Sequence, residues 1–309
     1  MTAVRRRIAR NAACLFLAFA AIAGCHAPVP PPAVYLLTAN VHEQCMQTLR
    51  QGMLQGDPET VIHAAEALTG ARYTFDVQPV LLDLLTVVKD APVRAGLIGE
   101  LVRSGYDGSI VLLQDMLLGQ NMESRLAAAR TLFTIGRVGD TLLLQEAMKE
   151  GEDGRLRVYA AAALQRSGRG ETLGFIRSRA LSDDPIVRGI AADVLLQLGE
   201  ASDIPLLNAS LELARYDADR YYVERALAVL GDPAGRAALY AQLSSNDSVT
   251  RSQAARAAAE AWLVDGASQL YAMLNDPVLD VRVRAAHALL ILSDPESPQF
   301  ARRVHLDRK

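Results

Sequence analysis

The chain has 309 residues, half of them hydrophobic and 22% charged, which is a folding composition rather than a disordered one. Aromatic residues make up only 5%, with one Trp, which argues against an all-β sandwich and for helices rich in Ala and Leu. The net charge of -3 is unevenly divided: residues 1–24 hold four Arg and no acid, and beyond them 28 basic residues meet 35 acidic ones. An acidic body is a poor partner for a polyanion, so no nucleic acid is expected.

At the N-terminus, Arg5, Arg6, Arg7 and Arg10 form a basic region, followed by an uncharged run over 12–23. A membrane-spanning helix needs about 20 apolar residues. This run is shorter and fits the apolar segment of a secretory signal. It ends in Ile22-Ala23-Gly24-Cys25, which resembles the lipobox of bacterial lipoproteins. The resemblance implies cleavage after residue 24, diacylation of the Cys25 sulfur, a palmitate-type chain on the new amine, and stable anchoring by two or three acyl chains. The alternative is an ordinary secretory signal in which Cys25 is a bystander. His26, where Asp marks inner-membrane retention in similar lipoproteins of Gram-negative bacteria, implies the outer membrane facing the periplasm. Residues 25–39 then form the lipidated Cys and a tether. Four of the eight residues over 26–33 are Pro, a polyproline II spacer of roughly 25 Å at about 3.1 Å per residue.

Of the three Cys, Cys14 falls in the signal and Cys25 at the anchor, so Cys45 stands alone and no intrachain disulfide is expected. Cys45 lies in a helix-like stretch over 41–54 and reads as a buried inert thiol; as a nucleophile it would have only His42, three residues away, for a base.

The body, residues 40–293, is one repeat array. One column is filled by Arg94, Arg125, Arg157, Arg188, Arg220, Arg251 and Arg282, at intervals of 31 or 32 residues. Val61 opens a degenerate earlier copy, giving eight units. Small or apolar residues follow each Arg three, four and seven places on, as in Ala191, Ala192 and Leu195, which is one face of a helix. A second apolar segment precedes each Arg, and Gly136, Gly168, Gly199, Gly231 and Asp276-Pro277 punctuate the joints. Each unit is therefore two antiparallel helices, and stacking buries a continuous core. The motif Asp-Pro-x-Val-Arg-x-x-Ala-Ala-x-Ala-Leu, clearest over 184–195 and 276–289, resembles a short HEAT repeat of the kind found in phycobilisome lyases. The expected fold is all-α, an α-solenoid of about eight two-helix HEAT-like repeats. The resemblance also implies that a column Arg pairs with an Asp at the preceding turn, four residues before it, and makes the column structural; most positions fit, but Tyr216 and Val278 stand there in the sixth and eighth units.

HEAT-like arrays include enzymes, and the residues for each chemistry are missing here. Iron-dependent deoxyhypusine hydroxylases carry repeated His-Glu pairs; this chain has one, His42-Glu43. No Cys-x-x-Cys, HExxH, phosphate-binding Gly loop or Gly-x-Ser-x-Gly elbow occurs, so no metal, no cofactor and no catalysis are expected. What remains is a binding surface. Residues two, five and nine places after each Arg share the helix face turned from the core. Tyr159, Tyr222, Arg225, Arg256 and His287 fall there, and Tyr and Arg are typical interface anchors. The alternative is a solvated face with incidental Tyr. Tyr222, Arg225 and Arg256 cluster in the sixth and seventh units, near the stretch over 216–222 that breaks the repeat rule, and such breaks tend to be functional or strained. Trp262 reads as core or cap. The leading expectation is a non-catalytic, lipid-anchored scaffold for another protein of the cell envelope; the alternative is a binding module for peptidoglycan or a polysaccharide, with Tyr159 and Tyr222 as stacking platforms. Residues 294–309 lack periodicity and read as a frayed tail.

Overall fold

The computed structural model describes residues 31–70 and 76–308; the signal and Cys25 lie outside the described residues. The described residues form α-helices and short 3-10 turns, with no strand. Eight helix pairs follow in order: α1 (Ala39–Gln55) and α2 (Pro58–Gly70); α3 (Gln78–Val87) and α4 (Ala91–Arg103); α5 (Ile110–Leu118) and α6 (Met122–Ile135); α7 (Thr141–Ala147) and α8 (Gly154–Arg166). Then come α9 (Leu173–Arg179) and α10 (Pro185–Leu198); α11 (Ile204–Leu213) and α12 (Asp217–Leu230); α13 (Pro233–Gln242) and α14 (Ser248–Glu260); α15 (Ala267–Met273) and α16 (Leu279–Leu292). An extra helix, α17 (Pro298–Asp307), follows. The eight units are those the Arg spacing predicts, and the architecture is an α-solenoid.

The second helices start where their caps dictate. Asp90, Asn121, Asp153, Asp184 and Asp247 each accept a backbone N–H of the first turn. The small residues after each Arg let neighbouring units approach: Ala160, Ala161, Ala191, Ala192, Ala285 and Ala286 are fully buried.

The array does not remain open. Helix α16 of the last unit packs on α1 and α2 of the first, closing the eight units into a ring. Closure requires a glycine: a Cβ on Gly52 of α1 would sit 2.7 Å from Val283 Cγ2 and 3.0 Å from Ala64 Cβ. Polar bonds cross the same seam. His63 Nδ1 and Asp280 Oδ1 are 2.5 Å apart, and Arg284 donates to Glu66 Oε2 at 2.8 Å. Before α1, the end of the Pro-rich tether is docked rather than free. Ala33 O accepts from the Trp262 indole N–H at 2.7 Å, and Tyr35 N donates to Leu292 O at 2.9 Å.

The segment expected to be a frayed tail is the helix α17. Ser297 caps it, and Phe300 meets Trp262 edge to face at 5.1 Å. Arg302 and Arg303 donate to Gly199 O and Val229 O, the C-terminal ends of α10 and α12. Cations at helix C-termini are favoured by the macrodipole. The sequence concealed this element because a capping helix carries one contact face and none of the repeat's spacing. Trp262 joins α14, α17 and the tether, and is held with φ +51, a left-handed conformation uncommon for a bulky residue.

Candidate functional site

Every second helix contributes to one central cavity of about 720 Å3. Glu59 (α2), Gly96 (α4), Thr131 (α6) and Tyr159 (α8) line it, as do Asp193 (α10), Tyr222 (α12), Gln253 (α14) and Arg284 (α16). Most residues two and five places after the column Arg therefore line it, while Ala162, Ile190 and His287 do not. Their face is the wall of a closed ring, however, and not a long concave surface.

The candidate residues come together there to different degrees. Tyr159, Tyr222, Arg225 and Arg256 all line the cavity. Tyr159 is nearly buried, and burial pushes its phenol well above the usual range. Tyr222 packs on the α10 backbone, where Gly189 leaves room: a Cβ there would meet its ring at 3.1 Å. It also meets Tyr221 edge to face at 5.7 Å. Arg225, only 4% exposed, stacks over the Tyr221 ring at 5.2 Å and stands 3.9 Å from Asp193, and its Nε has no partner. His287 is not part of the cavity wall. Burial lowers its pKa to about 4, with Arg284, Arg256 and Arg103 adding to the effect, so the ring is neutral at pH 7.

The residues that organise the site were absent from the candidate list. Glu66 of α2 accepts from Arg284 at 2.8 Å and from Arg103 at 3.3 Å, joining the first, second and last units. Burial opposes its charge, yet Arg284 and Arg103 hold its carboxyl well below the usual range. Glu100, one turn before Arg103, is 5% exposed, and burial pushes its carboxyl up to about 8. Its Oε1 accepts from Arg103 at 2.9 Å, and its Oε2 has no partner. The sequence signal for this group was only the presence of Arg103 and Arg284 in the inward columns.

The Arg column is structural in a way that differs from the expected pairing. Arg94, Arg157 and Arg282 donate to carbonyls at the end of the preceding outer helix or its turn: Leu85 and Val88, Met148, and Asp276 and Pro277. Arg125, Arg188 and Arg251 add a carboxylate of the next unit: Glu152, Asp219 and Asp276. Asp90, Asn121, Asp153, Asp184 and Asp247, four residues before their Arg, cap their own helices instead. Arg220 departs from the column and pairs with Glu224 on the surface at 3.4 Å. In that irregular unit the buried Asp219 replaces the missing cap, accepting from Tyr216 N at 3.0 Å while it binds Arg188. Cys45 is buried, and burial raises its thiol to about 12, which removes thiolate reactivity. Among the described residues no group of three or more His, Cys, Asp or Glu is placed to hold a metal. No helix among them is long and apolar enough to cross a membrane.

Comparison with known proteins adds the repeat type. No curated protein matches the chain. Among solved structures, a crystal structure of an engineered protein aligns at 20% identity over 82% of this chain and 97% of its own, with a TM-score of 0.29. A family model described as HEAT repeats matches residues 141–231, the fourth to sixth units, so the solenoid carries HEAT repeats there.

Proposed function

We propose that the protein is a lipid-anchored scaffold of the cell envelope, held by Cys25 at the outer membrane facing the periplasm, that binds another protein on the outer surface of its ring. HEAT repeats generally act as protein-interaction scaffolds, and the fourth to sixth units match that family. The observation that carries the reading is a set of exposed apolar side chains on the outward helices of three consecutive units. Leu82 and Val87 lie on α3, Val111, Leu112 and Leu118 on α5, and Leu142 on α7. Clustered exposed apolar residues mark interaction surfaces in soluble domains. A folded partner does not fit a cavity of about 720 Å3, so the outer surface is the better place for one.

The anchor rests on the lipobox-like residues Ile22 to Cys25. Two measurements test the reading. Cys25→Ser should move the protein from the membrane fraction to the soluble fraction. A photocrosslinking side chain at Leu112 should capture one specific protein in intact cells, whereas the same group at the exposed Lys149 should not. Persistence of the Cys25 variant in the membrane overturns the anchor, and equal capture at both positions overturns the docking surface.

A further inference from the structure

We propose that the central cavity is a binding site for a small organic dianion bearing carboxylate or phosphate groups. This goes beyond scaffolding and is independent of any partner on the outer face. The argument is one of uncompensated charge. On the wall, Arg103, Arg225, Arg256 and Arg284 face Glu66 and Asp193, and Asp280 lies behind it, bound to His63 and Ser252. Glu100 is the fourth carboxyl there, and burial keeps it protonated at pH 7. His63 and His287 are neutral, because burial lowers both. Four guanidiniums of the wall therefore face two ionised carboxylates of the wall and Asp280 behind it, which leaves positive charge in excess inside the ring. Enclosed charge without a counter-charge is costly and is ordinarily paired.

The partners of each guanidinium locate the excess. Arg284 and Arg103 are held by Glu66. Arg256 lines the cavity with no hydrogen bond and no carboxylate within 4.0 Å among the described residues, although Glu66, Glu260 and Asp193, farther off, favour its charge over burial. Arg225 has one distant carboxylate, Asp193 at 3.9 Å, and an unsatisfied Nε. These two guanidiniums, on adjacent inner helices α12 and α14, are a ready fork for an oxyanion. The rest of the wall suits the carbon frame of a small molecule, with Tyr159, Phe133 and Leu126 as the apolar side. The volume is within the range of small-molecule sites.

The route in has the same polarity. Exposed Glu59, Pro92 and Glu123 sit at the first turns of α2, α4 and α6 and mark the mouth. There the rim charges balance, with Arg130 and Arg155 against Glu59 and Glu123. The inner helices point their N-termini, the positive ends of their dipoles, to that side. At the opposite end α17 lies across the C-termini of α10 and α12.

The test uses the full chain purified in detergent, with succinate and inorganic phosphate as separate probes at constant ionic strength. Titration calorimetry and thermal melts are read together. One or both probes should bind with one-to-one stoichiometry and raise the melting temperature to a plateau, and chloride should not. The better probe reports whether the natural anion is a carboxylate or a phosphate. Arg256→Met should weaken binding about 10- to 100-fold, the worth of one charge-assisted contact. The empty variant should melt close to the wild-type temperature, since Arg256 makes no hydrogen bond and no close ion pair to lose. Arg179→Met, on the outer helix α9, should bind as the wild type does. Three results would overturn the proposal: neither probe saturating, an effect of chloride equal to that of the dianions, or an empty Arg256→Met protein that melts well below wild type, which would make Arg256 a structural residue.

Discussion

Closure of the ring rests on Glu66, and its removal makes a quantitative test. In Glu66→Gln the shape is kept and the charge is lost. Arg284, 7% exposed, then has no ionised partner at 2.8 Å, and Arg103 keeps only the Thr134 carbonyl and Glu100, whose carboxyl is protonated at pH 7. Removing one member of a buried ion pair costs about 3–5 kcal/mol, because the remaining charge stays desolvated. The cost falls on one seam, since Glu66 belongs to the first unit and Arg284 to the last. In a solenoid, stability is close to a sum of neighbour interfaces, so the loss should be local. Hydrogen exchange followed by mass spectrometry is the appropriate assay. Amides of α1, α2 and α16 should lose protection by a factor of about 100 or more, while α8 and α10 across the ring keep theirs. Arg284→Met should cost less than Glu66→Gln, because Glu66 retains Arg103. Equal loss of protection in α8 and α16, or a larger effect for Arg284→Met, would refute the assignment of Glu66 as the closing residue.

Three other perturbations follow from the same contacts. Glu100 titrates at about 8 in the folded protein and near 4.5 when unfolded, so the folded state holds the extra proton; stability should fall by up to about 2 kcal/mol from pH 6.5 to 8, and melts of Glu100→Gln over that range should be flat. Asp219→Asn leaves the buried Arg188 without its carboxylate and weakens the first turn of α12; a loss of about 3–5 kcal/mol in urea unfolding is expected, against under 1 kcal/mol for the exposed Arg220→Ala. Gly52→Val places a side chain where Val283 already sits; overpacking should cost about 1–3 kcal/mol, read from the urea midpoint, and Gly56→Val, outside the seam, should leave the protection of α16 unchanged.

What the sequence made legible was periodic. The Arg column gave the eight units and their joints, and the residues two and five places after each Arg gave Tyr159, Tyr222, Arg225 and Arg256 as one inward face. What it concealed was everything joining residues far apart in the chain. Glu66 and Arg284 are 218 positions apart, and His63 and Asp280 are 217. A repeat fixes how each unit meets the next. Whether eight such steps return to the start depends on a rotation of about 45° per unit, set by packing that no single motif encodes. The column Arg shows the same limit on a smaller scale. Its position is periodic, but its acceptors are main-chain carbonyls and, in three units, a carboxylate from variable positions: Glu152, Asp219 and Asp276. Backbone acceptors leave no trace in composition.

Closure also changes what the tether can do. An open solenoid on a Pro-rich spacer would swing freely above its anchor. Here the chain is fixed at Ala33 by the Trp262 indole and at Tyr35 by Leu292, on the side of the ring where α17 lies. Ala33 lies eight positions after Cys25, a reach of at most about 28 Å. With the lipid at Cys25, as proposed, the α17 side is held toward the bilayer and the cavity mouth, marked by Glu59 and Glu123, is turned away from it. The outward helices α3, α5 and α7 then stand around the circumference, open to a partner approaching along the membrane. Anchor, docking face and cavity thus occupy three different sides of one ring, so a protein bound at the circumference leaves the mouth free for a small anion.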